Sequence, residues 1–378
     1  MSTNVLITGG AGFIGSNLAL TLVARGYTVT VLDNLSTQIH GEKPADSGLF
    51  KSIEGKVKFI EGDVVHRADW SRALEGQHVV VHLAAETGTG QSMYAIEHYT
   101  NVNVTGTAIL WDILANQKHT VRKVVVASSR AIYGEGTYRC EDHAIVFPEA
   151  RKDADMARGD FQVKCPKCGK NSALMATGEE ARIHPSSVYG FTKQAQEELS
   201  LIAGRSLKIP VVAFRYQNVY GPGQSLNNPY TGILSIFSKQ IRGGSAIQIF
   251  EDGQESRDFV YVSDVVDATV LGIENEQADF EVFNVGSGVC TDVLTVAKTL
   301  VRNFGADVAV NVTGQYRIGD IRHNFADLDK AKAKLGFTPK VEFEKGIARF
   351  VEWVKTQTLT RDNYQDAMNE MKERNLFK

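Results

Sequence analysis

The sequence has no excess of either charge, no long apolar run and only four cysteines, and each shortage excludes something. Its 41 basic and 44 acidic residues leave a formal net charge of -3, so no polyanionic partner such as a nucleic acid declares itself through a basic excess. A local basic pocket for a diphosphate is compatible with that balance. No apolar stretch approaches the ~20 residues that a membrane-spanning helix requires. The opening MSTNVLITGG lacks the basic, apolar and small-residue succession of a secretory leader, and the expected location is the cytoplasm. Cys140, Cys165, Cys168 and Cys290 make a poor disulfide framework. Three of them cluster around one stretch, which favours a metal. There is no internal repeat and no low-complexity tract.

What is present is an ordinary globular composition, 43% apolar and 22% charged over 378 residues. That is enough for one large domain or two closely packed ones. Short apolar runs at 5–7, 28–32, 57–60, 78–83 and 121–127 predict buried strands. Helical apolar spacing at 13–25 and 98–116 predicts helices between them. A further helix is expected at 189–203 and a strand at 209–214. Strands alternating with helices give a parallel sheet covered on both faces, an α/β fold of the doubly wound Rossmann type. Beyond residue 216 the pattern is mixed, with strands at 247–250, 258–262 and 281–285 and helices at 262–275, 292–303 and 345–356. This predicts a cofactor domain over 1–215 and a smaller α/β substrate lobe that occupies mainly 216–378 and interleaves with it. The tail, 359–378, is polar with scattered apolar residues and is expected to be a surface helix. Between 138 and 184 the strand–helix rhythm stops, and the stretch reads as an inserted flap.

Residues 8–15 read TGGAGFIG, between a predicted strand and a predicted helix. Gly10, Gly12 and Gly15 satisfy G-x-G-x-x-G, and Gly9, Gly12 and Gly15 satisfy the wider G-x-x-G-x-x-G. Glycines allow the tight turn and the close approach to a pyrophosphate, which the helix N-terminus then receives. Asp33 ends the next strand, where it would accept hydrogen bonds from a ribose diol and repel a 2′-phosphate, favouring NAD over NADP. Tyr189 and Lys193 form Y-x-x-x-K at a helix start, which puts both side chains on one face. An ammonium nearby favours the phenolate of a group whose ordinary pKa is about 10, so the pair suits acid–base work. Ser129 offers a hydroxyl to the same hydrogen-bond system.

The ordered series TGGAGFIG, HLAAETG (82–88), NVNVTGT (101–107), ASSRAIYG (127–134), YGFTK (189–193), RYQNVYGPG (215–223), RDFVYVSD (257–264) and FNVGSG (283–288) resembles the NAD-dependent epimerase/dehydratase family, the extended short-chain dehydrogenases. The resemblance implies catalytic roles for Ser129, Tyr189 and Lys193. It implies a cofactor set of Gly9, Gly10, Gly12, Phe13, Ile14, Gly15, Asp33, Asn34, Asp63, Val64, Leu83, Ala84, Ala85 and Asn103, joined by Tyr189 and Lys193. It implies a nucleotide-sugar substrate held by Ser129, Arg130, Asn218, Arg257, Arg317 and Arg322, arginine being suited to bidentate phosphate binding. It also implies a homodimer formed through helices at 91–116 and 189–203. Family members that dehydrate the sugar carry an acidic pair after the catalytic hydroxyl residue. Here Arg130 and Ala131 follow Ser129, which favours a 4-epimerase using NAD over a 4,6-dehydratase. A 4-keto reductase would consume NADPH, against Asp33. A non-catalytic NAD-binding regulator would not be expected to keep Ser129, Tyr189 and Lys193.

The insertion holds CEDH at 140–143 and CPKCG at 165–169. Cys140, His143, Cys165 and Cys168 supply the four ligands of a tetrahedral zinc, and with no second catalytic feature beside them a structural zinc is expected. GEGTYRC followed by such a knuckle resembles the bacterial dTDP-L-rhamnose 4-epimerases. The 4-epimerases of UDP-hexoses and UDP-uronic acids remain alternatives.

Overall fold

A computed structural model describes residues 2–226, 232–358 and 364–378. Its centre is a sheet of strands β1 (Asn4–Thr8), β2 (Thr28–Asp33), β3 (Lys58–Glu61), β4 (Val79–His82), β5 (Lys123–Ser129), β6 (Val211–Tyr216) and β7 (Glu281–Val285). They lie in the order β3-β2-β1-β4-β5-β6-β7, all parallel. The central strands are buried along almost their whole length because helices cover both faces. One face packs on helix α1 (Phe13–Ala24) and on a helix at Val262–Glu274, around Leu18, Leu22, Val265 and Phe214. The other packs on helices α2 (Gly106–Asn116) and α3 (Val188–Leu207), around Trp70, Leu110 and Trp111. Strand order reverses between β1 and β4, which opens a crevice at the carboxyl edge of the sheet. The last strand of the sheet comes from chain beyond residue 216, so the lobe supplies part of the cofactor fold.

Three stretches differ from expectation. The helix expected at 98–116 is interrupted. A short helix at Ile96–Thr100 passes through a wide π turn at Asn101–Thr105 before α2 begins. The wide turn lets Asn103 face inward, where its amide accepts from Glu86 N at 2.8 Å and donates to Thr192 Oγ1 at 2.9 Å. The insertion, expected only as a flap, has a core of its own. Strands at Tyr138–Cys140, Ala144–Val146 and Ala173–Leu174 pair antiparallel and enclose a small core of Tyr138, Val146 and Val163. The tail forms the expected surface helix, but one side of it is docked. Residues 359–363 lie outside the described residues, but helix α4 (Tyr364–Glu373) and the residues after it bury Met368, Met371 and Phe377. The scattered apolar residues that looked incidental are its contact face.

Arg215, buried at the end of β6, ties these parts together. Its guanidinium pairs with Glu197 of α3, with Nε 3.0 Å from Oε2. It also donates to Tyr133 Oη at 2.8 Å and to the Glu179 carbonyl at 2.8 Å. Tyr133 in turn donates to Asn284 Oδ1 of β7 at 2.8 Å. One cation thus joins the helix of the Y-x-x-x-K pair, the loop after β5, the far end of the insertion and the last strand. Removing it strands the buried Glu197 charge. Arg215→Met should lower unfolding free energy in urea by about 3–5 kcal/mol, whereas Arg25→Met, which breaks an exposed pair with Glu274, should cost about 1 kcal/mol or less. Equal midpoints for the two variants would contradict the central place of Arg215.

Candidate active site

The crevice holds a cavity of about 570 Å³ that runs from the TGGAGFIG turn, past Ser129 and Tyr189, to Phe250, Arg257 and Arg317 in the lobe. Its cofactor end is built by glycines. Gly9 has φ of +66°, and a Cβ there would lie 2.8 Å from the Ala84 nitrogen. A Cβ on Gly15 would lie 2.2 Å from the Gly9 carbonyl oxygen. The first fits the left-handed turn, and the second lets α1 press against the turn itself. No side chain caps α1 at Gly12, so its first-turn N–H groups and positive dipole end face the cavity. Gly10 lies behind this wall, where its close neighbour is the Val31 side chain.

Asp33 sits at the end of β2 with both carboxylate oxygens engaged. Oδ2 accepts from Ala11 N at 3.0 Å and Oδ1 from Leu35 N at 2.9 Å. Burial raises its pKa, and these two N–H groups and His40 oppose the rise. Asn34 donates to Asp63 Oδ2 at 2.9 Å, and both line the cavity with Phe13, Ile14, Val64, Leu83, Ala84 and Ala85. Asn103 is fully buried behind the wall. It holds Glu86 and Thr192 and lies outside the lining residues.

Strand β5 delivers Ser129 to the carboxyl edge, and α3 brings Tyr189 and Lys193 opposite it. Ser129 Oγ accepts from Ala131 N at 3.1 Å and stands beside the Tyr189 phenol, close enough to pull its pKa down. Burial raises the Tyr189 pKa above its ordinary value, while Ser129 and the Arg130 charge pull it down. Arg130 is thus a cation bearing on the phenol that the sequence did not single out for this role, in addition to Lys193 on the same helix face as Tyr189. Burial also lowers Lys193 to about 7, with Glu197 opposing. Lys193 donates to Gln196 Oε1, and Gln196 Nε2 donates to Thr107 Oγ1 at 2.8 Å. Thr107 meets His82 Nε2 at 3.0 Å, and His82 Nδ1 meets Thr8 Oγ1 at 2.7 Å. Burial, then Lys193, lowers His82 to about 3, so this ring is neutral. Sequence reading missed Gln196, although its place three residues after Lys193 on one helix face was a usable signal. It missed Ser92, which accepts from Tyr189 N at 3.0 Å, because that contact spans 97 residues.

The lobe end is rich in arginine. Burial, then Arg257, lowers Arg130 to about 9, and Asp320, Tyr189 and Glu135 oppose this; it remains a cation at neutral pH. Burial disfavours the Asp320 charge, yet Arg317, Arg257, Arg151 and Arg130 together hold its carboxyl below the usual range. Arg257 donates to the carbonyls of Ser256, Ile321 and Arg322 at 2.8–3.0 Å, which fixes its guanidinium on the wall. Asn218 lines the same end. Arg322 does not. It is fully buried, and its guanidinium is engaged by Glu251 at 3.0 Å and Asp252 at 2.7 Å. The expected nucleotide ligand is therefore a buried structural cation outside the residues that line the cavity.

The four metal-type residues of the insertion converge outside the cavity. Their ligand atoms all lie within 4.8 Å of one another. Cys140 Sγ is 3.6 Å from both His143 Nδ1 and Cys168 Sγ, and Cys165 Sγ is 3.6 Å from His143 Nδ1. A tetrahedral zinc with bonds of about 2.3 Å to sulfur implies S···S edges of about 3.8 Å, so the donor set fits. The insertion reaches the cavity through Arg151, which binds Glu251 at 2.6 and 2.7 Å and approaches Glu135 at 3.4 Å.

A model of the NAD dependent epimerase/dehydratase family matches residues 5–149 and 168–286. The dTDP-L-rhamnose 4-epimerase of Burkholderia thailandensis is 38% identical over 95% of this chain and 96% of its own. The crystal structure of UDP-glucose 4-epimerase with UDP-glucose from Thermotoga maritima is 31% identical, with a TM-score of 0.76 over 93% of this chain and 99% of that one. A UDP-glucuronic acid 4-epimerase from Bacillus cereus, in complex with UDP-glucuronic acid and NAD, is 26% identical with the same TM-score and the same coverage.

The close approach of Gly15 to Gly9 yields a specific expectation. Gly15→Ala should weaken NAD binding about 10- to 100-fold, the size of an overpacking penalty. Gly12→Ala, whose Cβ would meet only the Gly9 oxygen at 3.2 Å, should cost less. Calorimetric titration with NAD, with circular dichroism to check folding, measures both; equal affinity in Gly15→Ala and wild type would contradict the packing described.

Proposed function

Because the chain belongs to the NAD dependent epimerase/dehydratase family, we propose that it is a nucleotide-sugar 4-epimerase that works through a transient 4-keto sugar, with dTDP-L-rhamnose as the leading substrate. The observation that carries the reaction type is the wall beside Tyr189, where Arg130 and Ala131 follow Ser129 and neither position offers a carboxylate to expel water from the sugar. The sugar assignment rests on likeness to the Burkholderia enzyme along nearly the whole chain.

The glycine turn, the uncapped start of α1 and Asp33 fit NAD, and Gly9, Gly12, Gly15, Asp33, Asn34 and Asp63 are the residues that would hold it. When bound, NAD supplies the hydride acceptor and donor that a redox-neutral inversion needs. The chain's own part is proton transfer and grip. Tyr189 takes the proton of the 4-hydroxyl as that carbon is oxidised and returns it when the carbon is reduced from its other face. Ser129 shares this hydrogen bond. Arg130 favours the phenolate, and Lys193 adds positive charge in the same buried wall. Asn218, Arg257 and Arg317 hold the diphosphate, so the sugar can turn while its anchor stays still.

We read Cys140, His143, Cys165 and Cys168 as a structural zinc site that closes the flap. We read the molecule as a homodimer through the helices around 96–116 and α3. The exposed apolar side chains of Ile96, Phe191 and Ile202 on these helices support that pairing.

Incubation of the NAD-loaded protein with dTDP-L-rhamnose, UDP-glucose and UDP-glucuronate, followed by separation of products, tests the reaction. The expected product is the C4 epimer of dTDP-L-rhamnose. Tyr189→Phe should lower turnover roughly 100- to 10,000-fold with NAD still bound. A panel that returns only unchanged sugars, or a Tyr189→Phe variant of wild-type activity, would overturn the proposal. Elemental analysis should find one zinc per chain. Chelation should expose 140–175 to protease and raise KM while kcat persists; metal well below one equivalent after growth with zinc would reduce the cluster to free thiols.

A further inference from the structure

The residues after 363 do more than cover a surface. They bridge the two walls of the cavity. On the cofactor side, the Arg374 guanidinium lies 4.3 Å from the Tyr94 ring centre, Tyr94 donates to Glu370 at 3.0 Å, and Met371 packs beside Gly90. The neighbouring Gly88 and Thr89 line the cavity. On the lobe side, the chain pairs with the segment that carries Arg317. Tyr316 and Lys378 exchange backbone hydrogen bonds at 2.8 and 2.9 Å, and Ile318 N donates to the Leu376 carbonyl at 3.0 Å. Arg317 is therefore held by a short ladder on either side of it, directly opposite Phe377.

The side chains at this ladder form a continuous chain of contacts. The Lys372 ammonium lies 5.4 Å from the Phe377 ring centre. The Phe377 and Phe250 ring centres are 5.0 Å apart. The Arg317 guanidinium carbon lies 5.2 Å from the Phe250 ring centre. Phe377 is buried and lies outside the residues lining the cavity, whereas Phe250 and Arg317 line it. Ring–ring and cation–ring contacts of this kind are attractive, and each link limits the freedom of the next. An arginine has many rotamers, and one already held in place loses less entropy when it meets a ligand.

We propose that Phe377 is a positioning residue for the nucleotide diphosphate, acting through Phe250 on Arg317. The inference rests on the reading of Arg317 as a diphosphate ligand. Phe377 touches neither substrate nor cofactor. It fixes the ring on which the guanidinium rests, so that the cation is aimed before the nucleotide arrives.

The experiment uses the full NAD-loaded chain and, as probe, whichever of dTDP and UDP binds wild type more tightly. Dissociation constants are measured by calorimetry for Phe377→Ala, Phe377→Tyr, Arg317→Ala and the double variant Phe377→Ala/Arg317→Ala, and kcat and KM are measured with the nucleotide sugar that wild type converts. Phe377→Ala should raise the dissociation constant and KM about 5- to 20-fold, with kcat within about twofold and NAD affinity unchanged. Phe377→Tyr should restore both. In the Arg317→Ala background, Phe377→Ala should add nothing, because the ring acts through the guanidinium. An unchanged dissociation constant in Phe377→Ala, when Arg317→Ala weakens binding, overturns this inference alone. So do additive losses in the double variant, or a parallel fall of kcat, NAD affinity and unfolding temperature. If Arg317→Ala itself binds the probe like wild type, the reading of Arg317 fails and takes the inference with it.

Discussion

The Arg215 guanidinium stands where four pieces of chain, far apart in sequence, meet at the carboxyl edge of the sheet. A buried cation must be matched, and each partner that matches it is thereby fixed. Glu197 fixes the rotation of α3 and so the face that carries Tyr189 and Lys193. Tyr133 fixes the loop that leaves Ser129. The Glu179 carbonyl fixes the return of the insertion, and Asn284 aligns β7 beside β6. The relative placement of Ser129 and Tyr189 is thus a by-product of satisfying one charge, and the insertion can be long without disturbing it.

A second level of order follows from burial. Tyr189 and Lys193 are both held where charge is disfavoured, so neither is strongly ionised without its neighbours. That makes the phenol responsive to cations nearby, first Arg130. His82 is kept neutral on the far side of Lys193, so it shapes hydrogen bonding without adding charge. At the lobe end the balance is reversed. Several arginines converge and Asp320 stays ionised among them, a field suited to a doubly charged diphosphate. Ser129 and Tyr189 thus stand midway along the chamber and the arginines gather at its lobe end, with Arg130 bearing on both.

Much of this was legible because the decisive signals are local. The glycines of TGGAGFIG lie within one turn, and Tyr189 and Lys193 lie on one face of one helix. Strand β5 is a run of β-branched residues, and CPKCG brings two thiols together by itself. What escaped depends on distant partners. Arg322 looked like a phosphate ligand because an exposed arginine and a buried one are identical in sequence; Glu251 and Asp252, some 70 residues away, decide between them. The π turn at 101–105 answers to the needs of Asn103, which are tertiary. The tail read as polar because its contact residues, Met368, Met371 and Phe377, are spaced along a short helix and the strand-like end that follows it. The influence of Arg130 on Tyr189 arises only when β5 and α3 are brought side by side.

Strand β7 carries a consequence for how such a protein can change. It is drawn from beyond residue 280, and its helical escort at Val262–Glu274 packs against α1, at the other end of the chain. No single cut yields a cofactor module that keeps its sheet, since severing the chain near 215 would strip the edge of β6 and bare one face of α1. Exchange of sugar lobes between relatives therefore requires two junctions, with 262–285 travelling alongside the first 215 residues. New sugar preferences are more readily reached by altering loops in place than by shuffling cassettes.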